Sequence, residues 1–190
     1  MGVTLTKSNS KFPQNNIVPR EEIEESYLCE KRKTDLPHCK IIDHKSFLLQ
    51  DSFSHIKGIK VCFGKYIIGL CVSYWLKSQI KMAELMGTDS YTKEDCMIFE
   101  EDEYIDYIIC YYDDLALTCL KIYTTEGRTK SFGSCQKEHY KFILNLKDEG
   151  RCVIGFKGVV GNCLSKLWVY HEELDYVPGE ATPSTIILDE

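Results

Sequence analysis

Short segments with alternating apolar and polar residues recur through the middle of the chain. Residues 59–63 (IKVCF) alternate in this way, Gly64 and Lys65 interrupt the pattern, and an apolar run resumes over 66–74. Alternation with a period of two is typical of β-strands that bury one face. Further segments of this kind follow at 104–112, 116–123, 130–132, 140–146, 152–156 and 164–170.

Turn-forming residues separate these predicted strands. They are Asp113-Asp114, Glu126-Gly127-Arg128 and Asp148-Glu149-Gly150, and Asp and Gly favour turns because both tolerate the backbone conformations that turns require. No long helical segments alternate with the strands, which argues against βαβ units and a parallel sheet. The pattern therefore predicts an antiparallel all-β domain, and a sandwich, a barrel and a prism all fit it.

The regions around and within this domain differ in character. Residues 1–20 carry three basic residues and no acidic one, and their Ser, Asn, Gln and Pro content predicts an extended arm. In residues 21–33 acidic residues precede basic ones, which predicts a short helix. Residues 76–95 predict a helical turn or a long loop. Residues 172–190 hold six acidic residues and no basic one, which predicts a solvated or partner-binding tail.

The overall composition is that of a globular protein with a modest acidic excess. Hydrophobic residues make up 44% of the chain, and 23 basic against 29 acidic residues give a net charge of −6. Nucleic acid is not an expected partner, because nonspecific binding to phosphate backbones requires a basic surface. The apolar runs fall well short of the roughly 20 residues that span a bilayer. The N-terminus also lacks the apolar segment of a secretory signal.

Ten cysteines are spread along the chain. An even number suits disulfides in a secreted protein, but the lack of a secretory signal favours the reducing cytosol. We therefore expect a cytoplasmic protein in which most thiols are reduced and packed in strands as small hydrophobic side chains. The cysteines are Cys29, Cys39, Cys62, Cys71, Cys96, Cys110, Cys119, Cys135, Cys152 and Cys163.

Two clusters of potential metal ligands lack the spacing of known sites. Cys29, His38, Cys39 and His44 do not contain the paired cysteines of a zinc knuckle. The acidic run within 94–106 lacks the regular ligand spacing and central glycine of a calcium-binding EF-hand loop. The sequence therefore predicts no metal site and no cofactor.

Cys135 and His139 resemble a nucleophile and a base in residue type only. They have no evident orienting group or oxyanion site, and the chain contains no nucleophile elbow, phosphate-binding loop or dinucleotide-binding fingerprint. We predict that the protein is not an enzyme.

The first six residues, MGVTLT, fit the N-myristoylation pattern. Gly2 becomes the N-terminus after removal of Met1, and Thr6 stands at the required offset. One myristoyl chain binds membranes only marginally without a second signal, which the basic residues of the arm would supply toward anionic lipid. The alternative is an unmodified arm, so membrane association is expected only if Gly2 is acylated.

The order of the strand segments resembles the jacalin-related lectin domain. The stretch from Glu103-Tyr104-Ile105 to Phe132-Gly133 carries the most specific match, while 56–74 looks like the opening pair of strands and 150–170 like the closing hairpin. The resemblance covers most of the chain. It implies a β-prism, in which three four-stranded antiparallel sheets form the faces of a triangular column, and proteins that are mostly not enzymes.

With this resemblance the chain divides into three parts. A polar N-terminal arm with a short helix occupies 1–40, the jacalin-like β-prism occupies 41–172, and the acidic C-terminal tail occupies 173–190.

The resemblance also implies where a sugar would bind. In sugar-binding members a loop before the last strand has the pattern Gly-x-x-x-Asp, and its carboxylate and backbone N–H groups hold adjacent sugar hydroxyls. The matching residues here are Gly161-Asn162-Cys163-Leu164-Ser165, so a serine stands in place of the aspartate. A neutral hydroxyl does not accept the two charge-assisted hydrogen bonds of a carboxylate. Conventional sugar binding is thereby disfavoured.

We therefore expect a jacalin-like domain that acts as a protein-interaction or structural subunit of a larger intracellular assembly, cytoskeletal or otherwise. Its expected partners are proteins. Two alternatives stay open: a functional carbohydrate-binding lectin, and an N-myristoylated peripheral membrane protein.

Overall fold

The computed structural model describes residues 24–29, 39–49, 55–76, 79–88 and 93–174. Both helical segments in these ranges are single turns, α1 (Lys45–Leu48) and a 3-10 turn (Lys147–Glu149), and no described helix is long and apolar enough to cross a membrane. The strands are β1 (Glu24–Cys29), β2 (Lys40–Asp43), β3 (His55–Phe63), β4 (Ile67–Leu76), β5 (Gln79–Met82), β6 (Met86–Gly87), β7 (Lys93–Ile98), β8 (Ile105–Tyr112), β9 (Leu117–Thr124), β10 (Thr129–Gly133), β11 (Tyr140–Asn145), β12 (Arg151–Val160) and β13 (Leu164–Glu173).

The strands form three antiparallel faces of four main strands each. The first has the order β5-β4-β3-β7, with β6 also paired to β4; the second has the order β11-β8-β9-β10; the third has the order β1-β13-β12-β2. The second and third faces are joined by one backbone pair, Val153 on β12 with Ile105 on β8. Three faces around one core make a β-prism, so the predicted fold class is confirmed.

Large side chains from all three faces meet in a single core. Tyr74 comes from the first face, Phe132 from the second, and Phe156 and Tyr170 from the third, and all four are almost completely buried. Full burial of a large apolar side chain contributes roughly 1.5–3 kcal/mol. The alternating segments of the sequence are therefore the strands that supply this core.

The predicted helix over 21–33 is wrong where the structure describes it, because residues 24–29 form the strand β1. This strand pairs antiparallel with β13. An isolated helix of this length is marginal in water, whereas the edge of a sheet offers a row of backbone hydrogen-bonding groups. The rest of the predicted arm, including Gly2, and the tail from residue 175 onward lie outside the described residues.

The predicted helical turn or loop over 76–95 is also wrong, because this stretch contains β5, β6 and the start of β7. β5 continues the first face by pairing with the end of β4, from Ser73 opposite Met82 to Leu76 opposite Gln79.

Side-chain hydrogen bonds fasten β1 to the third face. The Nε of Arg151 donates to Nδ1 of His171 (3.0 Å), so the imidazole proton is on Nε2 and points to Oγ of Ser26 on β1 (2.6 Å). Nη2 of Arg151 also forms an ion pair with Oε2 of Glu24 on β1 (3.0 Å). A neutral His171 thus connects β1 to β12 and β13.

Lowering the pH below about 6.5 is expected to loosen β1. Burial, and then the positive charge of Arg151, keep the pKa of His171 below its usual value, so the unfolded chain takes up this proton more readily than the folded chain. The stability that His171 contributes is present at neutral pH and is lost as the pH falls through its depressed pKa. Amide-exchange protection factors of 24–29, measured between pH 7.5 and 5, should fall in the native chain. They should change much less in His171→Gln, and equal pH dependence in both chains would contradict this role.

Candidate functional site

The loop that matches the family's sugar-binding pattern is the tight turn between β12 and β13. The N–H of Gly161 donates to the carbonyl of Cys163 (3.2 Å), and Leu164 is buried at the start of β13. Ser165 is also buried, and its Oγ donates to the carbonyl of Val159 within the same hairpin (3.0 Å). The hydroxyl proton at position 165 is therefore used inside the hairpin, and only Asn162 of this segment is well exposed.

The turn between β8 and β9 lies at the same end of the prism. One oxygen of Asp113 accepts the N–H groups of Leu115 (2.7 Å) and Ala116 (3.1 Å), and the other lies 4.0 Å from Nζ of Lys65 in the β3–β4 turn. Burial alone would raise the pKa of Asp113, but the backbone donors, then the hydroxyl of Tyr66 and the charge of Lys65, outweigh it and hold the pKa below its usual value. Asp113 is thus a fixed carboxylate, while the neighbouring Asp114 is exposed.

The surroundings of Cys163 and Cys39 show that the β12–β13 turn lies beside the β8–β9 turn. Burial, followed by the nearby charge of Asp113 and the thiol of Cys39, raises the pKa of Cys163. A Cβ atom added to Gly161 would lie 3.4 Å from Sγ of Cys39. The three turns 64–66, 113–116 and 161–163, together with Cys39, therefore form one surface, which we call the prism tip.

The prism tip presents groups that suit a polyhydroxylated ligand. Asp114 offers a carboxylate, Asn162 an amide and Lys65 an ammonium group, and Leu115 adds an exposed apolar side chain. The ammonium of Lys65 also lies 4.9 Å from the centre of the Tyr66 ring. Carboxylates and amides form paired hydrogen bonds with adjacent hydroxyls, and apolar groups cover the C–H faces of sugar rings.

The sequence identified only part of this tip. The segment Gly161-Asn162-Cys163-Leu164-Ser165 was predicted from the family pattern; its first three residues form a turn at the tip, whereas Leu164 and Ser165 are buried in β13. Lys65 and Asp113-Asp114 were not predicted as site residues, because they stand far apart in the sequence and only the pairing of the strands brings them together.

Cys135 and His139, which the sequence did not favour as a nucleophile and base, each have another partner in the structure. Cys135 forms a disulfide with Cys119, and Nδ1 of His139 lies 2.8 Å from Oγ1 of Thr118. A disulfide sulfur is no thiolate nucleophile. The disulfide also corrects the expectation of reduced thiols for this pair, whereas Cys110 is a buried thiol whose pKa is raised by burial.

His44 from the rejected zinc cluster is held by hydrogen bonds on both ring nitrogens. Nδ1 lies 3.0 Å from the hydroxyl of Tyr74, and Nε2 lies 3.0 Å from the carbonyl of Glu84. Within the described ranges no three His, Cys, Asp or Glu residues could hold a metal ion. His38 and the side chain of Cys29 lie outside those ranges.

Three members of the acidic run within 94–106 form ion pairs. Glu94 pairs with Lys60 and Asp95 with Lys130. The buried carboxylate of Glu103 accepts three hydrogen bonds, from Nη1 of Arg128 (2.6 Å), Oγ1 of Thr124 (2.7 Å) and the N–H of Glu100 (3.0 Å).

Comparison with known proteins shows the family to which this fold belongs. Residues 43–170 match the model of the jacalin-like lectin domain, and the chain belongs to this family. No curated protein matches the chain.

Solved structures similar to this chain include several lectins. A Malaysian banana lectin variant is 20% identical, with a TM-score of 0.54 over 63% of this chain and 84% of that chain. Artocarpin complexed with Me-alpha-mannose is 18% identical, with a TM-score of 0.55 over 62% and 83%. A prostate-specific WGA16 glycoprotein lectin is 22% identical, with a TM-score of 0.55 over 71% and 90%. At these identities the similarity shows the fold.

Proposed function

We propose that this chain is a carbohydrate-binding lectin domain whose ligand contacts the prism tip. The observation that carries the proposal is the position of the acidic Asp113-Asp114 turn beside the loop 161–165. The family match supports the ligand class, because a similar fold is described in complex with a mannoside.

In this proposal the acidic turn replaces the missing aspartate. Ser165 has its proton committed to the Val159 carbonyl, and both backbone donors of the 113–116 turn are bound to one oxygen of Asp113. Asp114, exposed on the same turn, is the carboxylate positioned to accept sugar hydroxyls. Asn162 and Lys65 stand on the two neighbouring turns and supply donors.

Replacing Asp114 with asparagine is expected to weaken sugar binding about tenfold or more, since hydrogen bonds to charged groups contribute roughly 1.5–3 kcal/mol. Isothermal calorimetry with methyl α-mannoside and methyl α-galactoside measures the affinity. Asp102→Asn is the matched control, because Asp102 is also exposed but precedes β8, at the opposite end from the tip. Equal losses in both variants, or no heat with either sugar at millimolar concentrations, would contradict the proposed site.

The second candidate function is that of a protein-interaction or structural subunit. The observation that favours it is the exposed apolar strand β11, on which Tyr140 is 66% and Ile143 51% accessible. Large exposed side chains of this kind are typical anchors at protein interfaces. Crosslinking mass spectrometry of the native protein should then return partner crosslinks at Lys141. Crosslinks confined to the tip, or none on β11, would count against this function.

A cytoplasmic location belongs to this second proposal, and an N-myristoylated peripheral membrane protein acylated at Gly2 stays a separate alternative. An intact mass of the native protein that lacks the myristoyl group would remove that alternative.

A further inference from the structure

The register of the second face places a set of aromatic and basic residues on its outer side. Tyr107 stands opposite Tyr123, and Tyr111 opposite Lys141, while Lys121 lies between the tyrosine rows opposite Ile109. The alternate residues of β8 and β9, such as Ile108 and Ile122, are fully buried in the core. We call Tyr107, Tyr111, Tyr123, Lys121 and Lys141 the tyrosine–lysine face.

The aromatic groups of this face have a defined geometry. The rings of Tyr107 and Tyr123 lie edge to face, with centroids 5.1 Å apart and planes at 87°. The ammonium of Lys121 lies 4.9 Å from the centroid of Tyr123. The hydroxyl of Tyr123, followed by the nearby Tyr111, raises the pKa of Lys121, which stays charged at neutral pH.

The charge of this face differs from that of the whole chain. The remaining residues that the register pairs on this side of the four strands are neutral, whereas the buried Asp106 lies at the register shift of β8 and has no paired partner. These neutral residues are Ile109, Cys119, Thr129, Ser131, Gly133, Ile143 and Asn145. A nearby carboxylate, Asp148, accepts a hydrogen bond from Asn145 at the end of β11. On a chain with a net charge of −6, the two lysines thus make this face locally basic, and the carboxylates Asp106 and Asp148 lie at one end of it.

We propose that the tyrosine–lysine face binds an anionic polysaccharide, at a second site separate from the prism tip. The chemical class follows from two features. Tyrosine rings pack against the C–H faces of sugar rings, and the two lysines attract sulfate or carboxylate groups. Lys141 and Lys121 are on strands two positions apart and are offset by two residues along the strands, so their backbones are about 12 Å apart, a separation close to one disaccharide repeat. A linear glycan crossing the strands would meet both charges with a tyrosine on either side.

This ligand class rests on the proposed carbohydrate-binding function, but the residues are different. Lys141 is exposed and Lys121 is half-buried, and both would also attract nucleic acid. However, two cations on one face neutralise too few phosphates to retain a duplex at physiological salt.

The test uses the full chain and three polymers: dextran sulfate, alginate and uncharged dextran. Surface plasmon resonance at 50 and 150 mM NaCl should show binding of an anionic polymer that weakens with salt, and no binding of dextran. The comparison of sulfated and carboxylated polymers identifies the preferred anion. The double variant Lys121→Gln/Lys141→Gln should weaken binding about tenfold and flatten its salt dependence, because two counterion-releasing contacts are lost.

The matched control is Lys81→Gln/Lys93→Gln, which removes the same charge from exposed positions on the first face. Tyr107→Ser provides a second, uncharged variant that should weaken binding at both salt concentrations. Equal losses in the two lysine variants would reduce the effect to general electrostatic attraction and overturn the site, as would the absence of binding to both anionic polymers. If the native chain binds no mannoside but Lys121 and Lys141 still govern polymer binding, the proposed function of the tip fails and this face stands.

Discussion

Replacing Arg128 with methionine should lower the free energy of unfolding by about 3 kcal/mol, one of the largest single effects we expect in this protein. The carboxylate of Glu103 is fully buried, and Nη1 of Arg128 is its charged donor at 2.6 Å. Without it the charge is left with the hydroxyl of Thr124 and the N–H of Glu100. Urea unfolding followed by circular dichroism measures the loss.

Two further variants separate the buried charge from ordinary surface effects. The double variant Glu103→Gln/Arg128→Met should recover part of the loss, because the uncompensated charge is gone. Lys65→Met removes the cation from an exposed pair 4.0 Å apart and should cost well under about 1 kcal/mol. A double variant less stable than Arg128→Met would show that Glu103 acts through something other than this ion pair.

Breaking the disulfide between Cys119 and Cys135 should cost a similar amount. The two cysteines are 16 residues apart, and closing a loop of about that length contributes roughly 3 kcal/mol in the chain-entropy account. For a chain of this size that corresponds to a fall in Tm of about 6–12 °C. Calorimetry of Cys135→Ser, and of the native chain with and without a reductant, measures it. Cys96→Ser is the control, since Cys96 is exposed and outside this disulfide. A reductant that leaves Tm unchanged would contradict the prediction.

This disulfide also bears on the compartment. Structural disulfides persist in oxidising compartments and are rare in the cytosol. The Cys119–Cys135 disulfide therefore favours an oxidising compartment, whereas the sequence predicted the reducing cytoplasm. Peptide mapping of the native protein under non-reducing conditions decides between them.

The alternating pattern of the sequence was sufficient for an antiparallel all-β domain, the resemblance to the jacalin-related lectins was needed for the prism, and neither predicted the edge strands. The alternation in 59–63 and 104–112 reports burial against the core, which is a property of each strand by itself. β1 was predicted as a helix because its acidic and basic residues are in helical order, whereas its actual conformation depends on pairing with β13, more than a hundred residues away. β5 likewise depends on the end of β4 and not on its own four exposed residues.

The candidate sites likewise include residues that a local sequence pattern can identify and residues that only strand pairing brings together. The loop 161–165 could be found because a contiguous pattern carries it, and the serine at position 165 could be recognised as a departure. The carboxylate of Asp113-Asp114 and the outer row of Tyr107, Tyr123 and Lys121 depend on strand register, which no local pattern reports.

The family match begins at residue 43, but the third face begins earlier in the chain. β1 lies entirely before that point, and β2 ends at Asp43. A shortened protein starting there would keep only β12 and β13 of this face, each with an open side of unsatisfied backbone groups. Such edges recruit strands from other molecules, so the segment that defines the family is smaller than the unit that folds, and recombinant versions trimmed to it should self-associate.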